Sequence, residues 1–123
     1  MNILQRIKHR LVNATRYSLA GIRAAWHNEE AFRFEFALAL ILMPAAFWLG
    51  ESFLVRSLLM GSWLLVMVVE ILNSALEAVV DQVTSEYTEL AGRAKDMGSA
   101  AVMLSIIITV LVWLGVILDR WWF

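Results

Sequence analysis

From Phe53 to Val80 the chain is almost wholly apolar, with Arg56 near the start and no further charge until Glu70. A helix rises about 1.5 Å per residue, so the run is long enough to cross a hydrocarbon core about 30 Å thick. Its last part reads Glu70-Ile-Leu-Asn73-Ser-Ala-Leu-Glu77-Ala-Val-Val-Asp81. At about 100° per residue the four polar side chains fall at roughly 0°, 300°, 340° and 20°, one arc of about 80°. The other flank of the helix is Leu, Val, Ile and Ala. A carboxylate near a bilayer centre costs roughly 2.5–3.5 kcal/mol. A chain that keeps several on one stripe is expected to use them.

Composition supports a membrane reading. The chain has 123 residues, 61% of them hydrophobic, against about 45–50% for an ordinary soluble domain. Length allows one domain, 1–123, divided by pattern into five parts. Residues 1–28 form a basic amphipathic helix, with Ile3, Ile7 and Leu11 recurring every four residues and Arg6, Lys8, Arg10, Arg16 and Arg23 supplying charge. It is too polar to span and is expected to lie in the membrane interface. Residues 34–50 are a short first span, with Pro44 expected to kink it and Trp48 placed for an aromatic belt. Residues 53–80 are the second span. Residues 82–96 are a polar loop or helix extension outside the membrane. Residues 97–118 are the third span, opened by the small residues Gly98-Ser99-Ala100-Ala101, which suit close helix contact. The expected fold is therefore all-α: one surface helix and three transmembrane helices. No secretory signal is evident in the N-terminal stretch.

Charge gives direction. Lys and Arg concentrate in the N-terminal helix, with Arg93 and Lys95 in the polar segment, so both are expected to face the cytoplasm and the C-terminus the outside. The formal net charge of −1 offers no global case for nucleic-acid binding. The chain has no Cys, which excludes thiol chemistry, disulfides and Cys-ligated metal. Counted from Leu54, Glu70 lies about 24 Å along the span and Glu77 about 35 Å along. Glu70 should sit just inside the hydrocarbon boundary and Glu77 in the headgroup layer.

Carboxylates with an amide suit a hard cation such as magnesium, which takes oxygen ligands and keeps several waters. The deeper Glu70 is the better general base and the wetter Glu77 the better metal ligand. Arg10 and Lys95 could balance phosphate charge. Asn73 is equally readable as interhelical glue or as a functional group, Asp81 reads as solvated, and interfacial aromatics such as Tyr87 and Trp113 are usually anchors. His9 and His27 have no partners at ligand spacing. The chain has neither G-x-x-x-x-G-K-[ST] nor G-x-G-x-x-G and no kinase H-R-D or D-F-G set, so any phosphoryl transfer uses another scaffold.

Several blocks together carry a resemblance: Asn28-Glu29, the Glu70–Asp81 stripe, Ser85-Glu86-Tyr87, and Gly92-Arg93-Ala94-Lys95-Asp96-Met97-Gly98-Ser99-Ala100-Ala101. Arg23-Ala-Ala-Trp26 and Ala31-Phe32-Arg33 fit as well. The chain closely resembles the bacterial integral-membrane diacylglycerol kinases over nearly its whole length. That resemblance implies a homotrimeric, three-span enzyme of the bacterial inner membrane. It would transfer the ATP γ-phosphate to the hydroxyl of diacylglycerol, giving phosphatidic acid, with magnesium.

By position, the resemblance makes Glu70 the catalytic base, with Asn73 positioning the stripe carboxylates or a phosphate. It makes Glu29 and Glu77 ligands of the metal that accompanies ATP. Arg10, Tyr17, Glu86, Tyr87, Lys95 and Asp96 would contact nucleotide. Lipid substrate contacts would come from Arg10, Ser18, Arg23, Trp26, Ala31 to Glu35, Glu70 and Ser99, with Trp48, Arg56 and Trp113 along acyl chains. Glu30, His27, Phe34 and Pro44 depart from the family pattern, which bears on the lipid groove beside the first span rather than on the chemistry. The rival readings are an undecaprenol kinase of the same superfamily, a proton- or ion-conducting subunit built on Glu70, and a structural membrane subunit. Active sites shared between subunits are expected, because one chain offers a single polar face.

Overall fold

A computed structural model of the protein describes residues 1–122. These residues fold into four helices: α1 (Ile3–Asn28), α2 (Glu30–Leu49), α3 (Phe53–Val83) and α4 (Glu89–Trp121). The chain divides into two compact units, Met1–Glu30 and the remainder from Ala31 onward.

The first unit is α1. Asn2 starts it with a reciprocal cap: its side chain accepts from the Gln5 N–H at 2.8 Å, and its own N–H donates to Gln5 Oε1 at 3.0 Å. Both groups would otherwise be orphans of the first turn. The helix ends at Glu29, whose backbone turns extended while its N–H still reaches the Ala25 carbonyl. Ile3, Ile7, Leu11, Leu19 and Ile22 are all exposed along this helix.

The second unit holds α2, α3 and α4. Each is long and apolar enough to cross a membrane, which makes the chain a multi-pass membrane protein by length and composition. The α2 helix continues through Pro44 without a break in its assignment. Short caps set the connections. Ser52 accepts from the Val55 N–H at 3.1 Å to start α3, and Thr88 accepts from the Ala91 N–H at 3.0 Å to start α4. Between Val83 and Glu89 the chain turns, and Thr84 Oγ1 lies 3.2 Å from both the N–H and the carbonyl of Glu86.

Helices in lipid gain little from apolar burial and are held by packing and hydrogen bonds. Both are visible here. Ala46 and Leu59 are wholly buried, with Leu49, against Val55, Met60, Val112, Trp113, Val116 and Ile117, so all three helices meet at this end of the bundle. Nearer the middle, α3 and α4 are joined by buried polar groups. Thr109 Oγ1 donates to the Ser62 carbonyl at 2.9 Å and lies 3.2 Å from the Ser105 carbonyl, while Trp113 Nε1 donates to the Leu59 carbonyl at 3.2 Å.

The end of α2 is clamped from both neighbours. Arg120 Nη1 donates to the carbonyls of Trp48 at 3.0 Å and Leu49 at 2.7 Å, and Arg56 Nε donates to the Gly50 carbonyl at 3.0 Å. Helix C-terminal carbonyls lack partners and carry partial negative charge, so guanidinium groups satisfy both needs. Arg56 also lies 4.2 Å from the Phe47 ring centroid, and Arg120 lies about 5 Å from the rings of Trp48 and Trp121.

Candidate active site

The acidic stripe lies on α3, at the opposite end of the bundle from the Arg56–Arg120 clamp. Glu70 is 8% exposed and Glu77 is half-buried, so water access increases along the stripe. Glu70 is not alone at its depth. Glu35 of α2 is also 8% exposed. Glu35 Oε2 is shut from solvent and has no hydrogen-bond partner. Trp63 Nε1 donates to the Glu35 carbonyl at 3.1 Å and locks α2 against α3 at this level. A buried acceptor without a donor is costly, and it marks a place where an incoming hydroxyl would be welcome.

One turn farther along α3, Asn73 Nδ2 faces Glu77 Oε1 at 3.5 Å. Beyond that, Lys95 Nζ of α4 makes a 2.8 Å ion pair with Asp81 Oδ1. The hydrogen bond and charge of Asp81 hold the Lys95 ammonium above its ordinary value, with a smaller push from Glu77. Lys95 belongs to the polar opening of α4, ahead of its apolar run.

The break between α3 and α4 closes a cavity of about 380 Å³ beside this ion pair. Asp81, Glu86, Tyr87, Gly92, Lys95 and Asp96 line it. Tyr87 is exposed but lies over Gly92, where a Cβ would come within 2.8 Å of its ring. The residues expected from sequence to meet nucleotide on the second unit, Glu86, Tyr87, Lys95 and Asp96, are thus gathered in one recess.

The remaining expected site residues are spread out. Arg10, Tyr17, Ser18, Arg23 and Trp26 are exposed on α1, and Glu29 is its half-buried cap. Ala31 on α2 and Ser99 on α4 are exposed. Trp48, Arg56 and Trp113 lie toward the clamp, where Arg56 and Trp113 are bonded to main-chain carbonyls. Three contributors were not singled out by sequence reasoning: the apposition of Glu35 with Glu70, the tie from Trp63, and the space left by Gly98 against Asn73.

The donor set also bears on magnesium. Among the described residues no three His, Cys, Asp or Glu side chains converge to cage an ion. Glu77 offers a carboxylate with an amide donor on one oxygen. Magnesium is commonly held by one or two carboxylates with substrate phosphates, keeping several waters. The residues present fit an ion that arrives with its nucleotide.

Three apolar spans, with buried acids and a polar lysine-bearing recess at one end, define a small polytopic membrane protein. The chain belongs to the prokaryotic diacylglycerol kinase family, whose model matches residues 16–117. It is 56% identical over 104 residues to the diacylglycerol kinase of Escherichia coli (strain K12), covering 85% of each chain. It is 50% identical over 107 residues to that of Haemophilus influenzae, covering 87% of this chain and 91% of the relative. The diacylglycerol kinase of Pseudomonas aeruginosa is 45% identical over 109 residues, 89% of each chain.

Proposed function

We propose that this protein is a lipid kinase that moves the γ-phosphate of ATP to the hydroxyl of diacylglycerol, giving phosphatidic acid at the cytoplasmic face of the bacterial inner membrane. The observation that carries the reading is the graded stripe on α3. Buried Glu70 faces Glu35, half-buried Glu77 follows, and the polar recess of Lys95 and Tyr87 lies beyond. A lipid hydroxyl and a water-borne nucleotide need that order of depths.

In this reading Glu70 takes the hydroxyl proton as the lipid oxygen bonds to the γ-phosphorus and the bond to the bridging oxygen of ADP breaks. Glu35 Oε2, a buried acceptor without a donor, adds a second polar atom beside that path without taking the proton. Lys95 and Arg10 balance phosphate charge, and Glu86, Tyr87 and Asp96 shape the nucleotide recess. Glu77 and Glu29 would hold the magnesium that comes with ATP; when bound, it neutralises charge on the phosphates. Catalysis is then mostly positioning and charge neutralisation, with a base of matched depth.

The α1 helix lies in the membrane interface, its exposed apolar residues in the acyl boundary and its arginines among headgroups. Ser18, Arg23, Trp26, Ala31 and Ser99 meet the lipid substrate, and Trp48, Arg56 and Trp113 its acyl chains. The spans are residues 34–50, 53–80 and 97–118, with the N-terminus and 82–96 cytoplasmic and the C-terminus outside. Three copies assemble, and subunits share sites. Mixing a Glu29→Gln with a Glu70→Gln variant tests the sharing: recovered activity supports it, and no recovery at any ratio speaks against it.

The deciding experiment gives labelled ATP to purified protein with either diacylglycerol or undecaprenol. Labelled phosphatidic acid is the expected product. Polyprenyl phosphate would move the assignment to the sister activity, and no labelled lipid would remove the kinase reading.

A further inference from the structure

The seam between α3 and α4 has one place where a missing side chain decides a geometry. A Cβ built on Gly98 would collide with Asn73 Oδ1 and stand 3.2 Å from Leu76 Cδ2 and 3.3 Å from Asn73 Cγ. Asn73 Oδ1 is shut from solvent and has no hydrogen-bond partner, so the amide is pressed into that space without being bonded there. The other end of the amide faces Glu77 Oε1 at 3.5 Å. This orientation is the chemically sensible one, since the reverse would set an amide oxygen against a carboxylate. Helix α4 therefore acts on Glu77 through Asn73, by contact at residue 98.

We infer that Gly98 is a positioning residue: the space at its Cα holds the Asn73 amide against Glu77 and so aims the Glu77 carboxylate at the metal-bearing phosphates. Any side chain at 98 must move something. The atom in its way is the tip of the Asn73 side chain and not backbone. Rotation turns Nδ2 away from Glu77 before it forces the helices apart. The loss should appear in metal affinity sooner than in folding. Partners that orient a metal ligand typically change affinity about 10–100-fold when removed.

The inference rests on the reading of Glu77 as a metal ligand, and the test separates the two. Mn²⁺ binding would be followed by electron paramagnetic resonance on purified protein with β,γ-methylene-ATP, together with thermal unfolding. Gly98→Ala and Asn73→Ala should each weaken Mn²⁺ by about tenfold. The double variant should be no weaker than Asn73→Ala, because removing the amide makes room for the new methyl group. It also provides a folded Gly98 substitution should the single variant be unstable. Wild-type Mn²⁺ affinity in Asn73→Ala, or full additivity in the double variant, overturns the positioning role. Glu77→Gln is the control. If it weakens Mn²⁺ while the other two do not, only the role of Gly98 fails. If Glu77→Gln leaves Mn²⁺ unchanged, the ligand reading fails and takes the inference with it.

Discussion

Trp63 holds Glu35. Its indole N–H, donated from α3, meets the Glu35 carbonyl of α2 at 3.1 Å, and the Glu35 side chain then faces Glu70 beside the same indole-bearing helix. A residue with no chemistry of its own thus ties the backbone that carries Glu35 to the helix that carries Glu70. Trp63→Phe keeps a ring but removes the donor, costing about 1 kcal/mol for the bond. Thermal unfolding should fall slightly, and turnover should drop by about fivefold as Glu35 loosens. Unchanged turnover would show that Glu35 is placed by packing alone.

Glu70→Gln keeps the shape of the site and removes the base proposed for it. Lipid phosphorylation should fall by about 10²–10⁴-fold, the usual contribution of a positioned base. Nucleotide binding, read by fluorescence of a labelled analogue, should stay near wild type, because the recess lies farther along the helix pair. Glu35→Gln should be the milder of the two, since it retains a hydrogen-bonding amide and takes no proton. Equal losses in both would give the proton to the pair rather than to Glu70.

Asp81→Asn frees Lys95 from its 2.8 Å partner. Both side chains are well exposed, so the pair adds little to stability, and the unfolding midpoint should hardly move. The ATP KM should change instead, since Lys95 is then no longer held beside the recess. The pH dependence has a definite sign. A lysine raised above its ordinary value of 10.5 stays charged in the fold below that value, and its contribution is lost only as pH climbs past its raised value. From about pH 6 to about pH 9 the ATP KM should show no step from Lys95. A step in that range that vanishes in Lys95→Met would overturn this picture.

Arg120→Ala should destabilise without touching catalysis. It removes two charge-assisted bonds to the end of α2, at 3.0 and 2.7 Å, each worth roughly 1.5–3 kcal/mol. A lower unfolding temperature with normal turnover at low temperature is the expected pattern. Arg120→Lys should rescue it only in part, because an ammonium lacks the planar fork and its stacking on Trp48 and Trp121. A turnover defect at low temperature would mean that the two ends of the bundle communicate.

The stripe on α3 could be read from sequence because it is a property of one helix: period and depth follow from counting residues. Three apolar spans were readable for the same reason. Pro44 is expected to kink its span, and α2 is continuous through it from Glu30 to Leu49, with one backbone donor fewer at that turn. The meeting of Glu35 with Glu70 was not readable. It depends on the register of α2 against α3, which no single-helix periodicity records. Gly98 was seen as small, but its partner was hidden in the register of α4. The main-chain partners of Arg56 and Trp113, the Gly50 and Leu59 carbonyls, were equally hidden, because they too depend on how the elements meet.

The clamp on α2 has a bearing on how the chain is made. Trp48 and Leu49 are separated in sequence from Arg120 by 72 and 71 residues. Arg56, six residues from Gly50, can close its bond as soon as the turn has formed. Arg120 leaves the ribosome only after all three spans have been synthesised. The carbonyls at the end of α2 therefore lack this partner until α4 is in place. Insertion and final closure of the bundle are separate events in time, and the second is scheduled by where one arginine falls in the translation order.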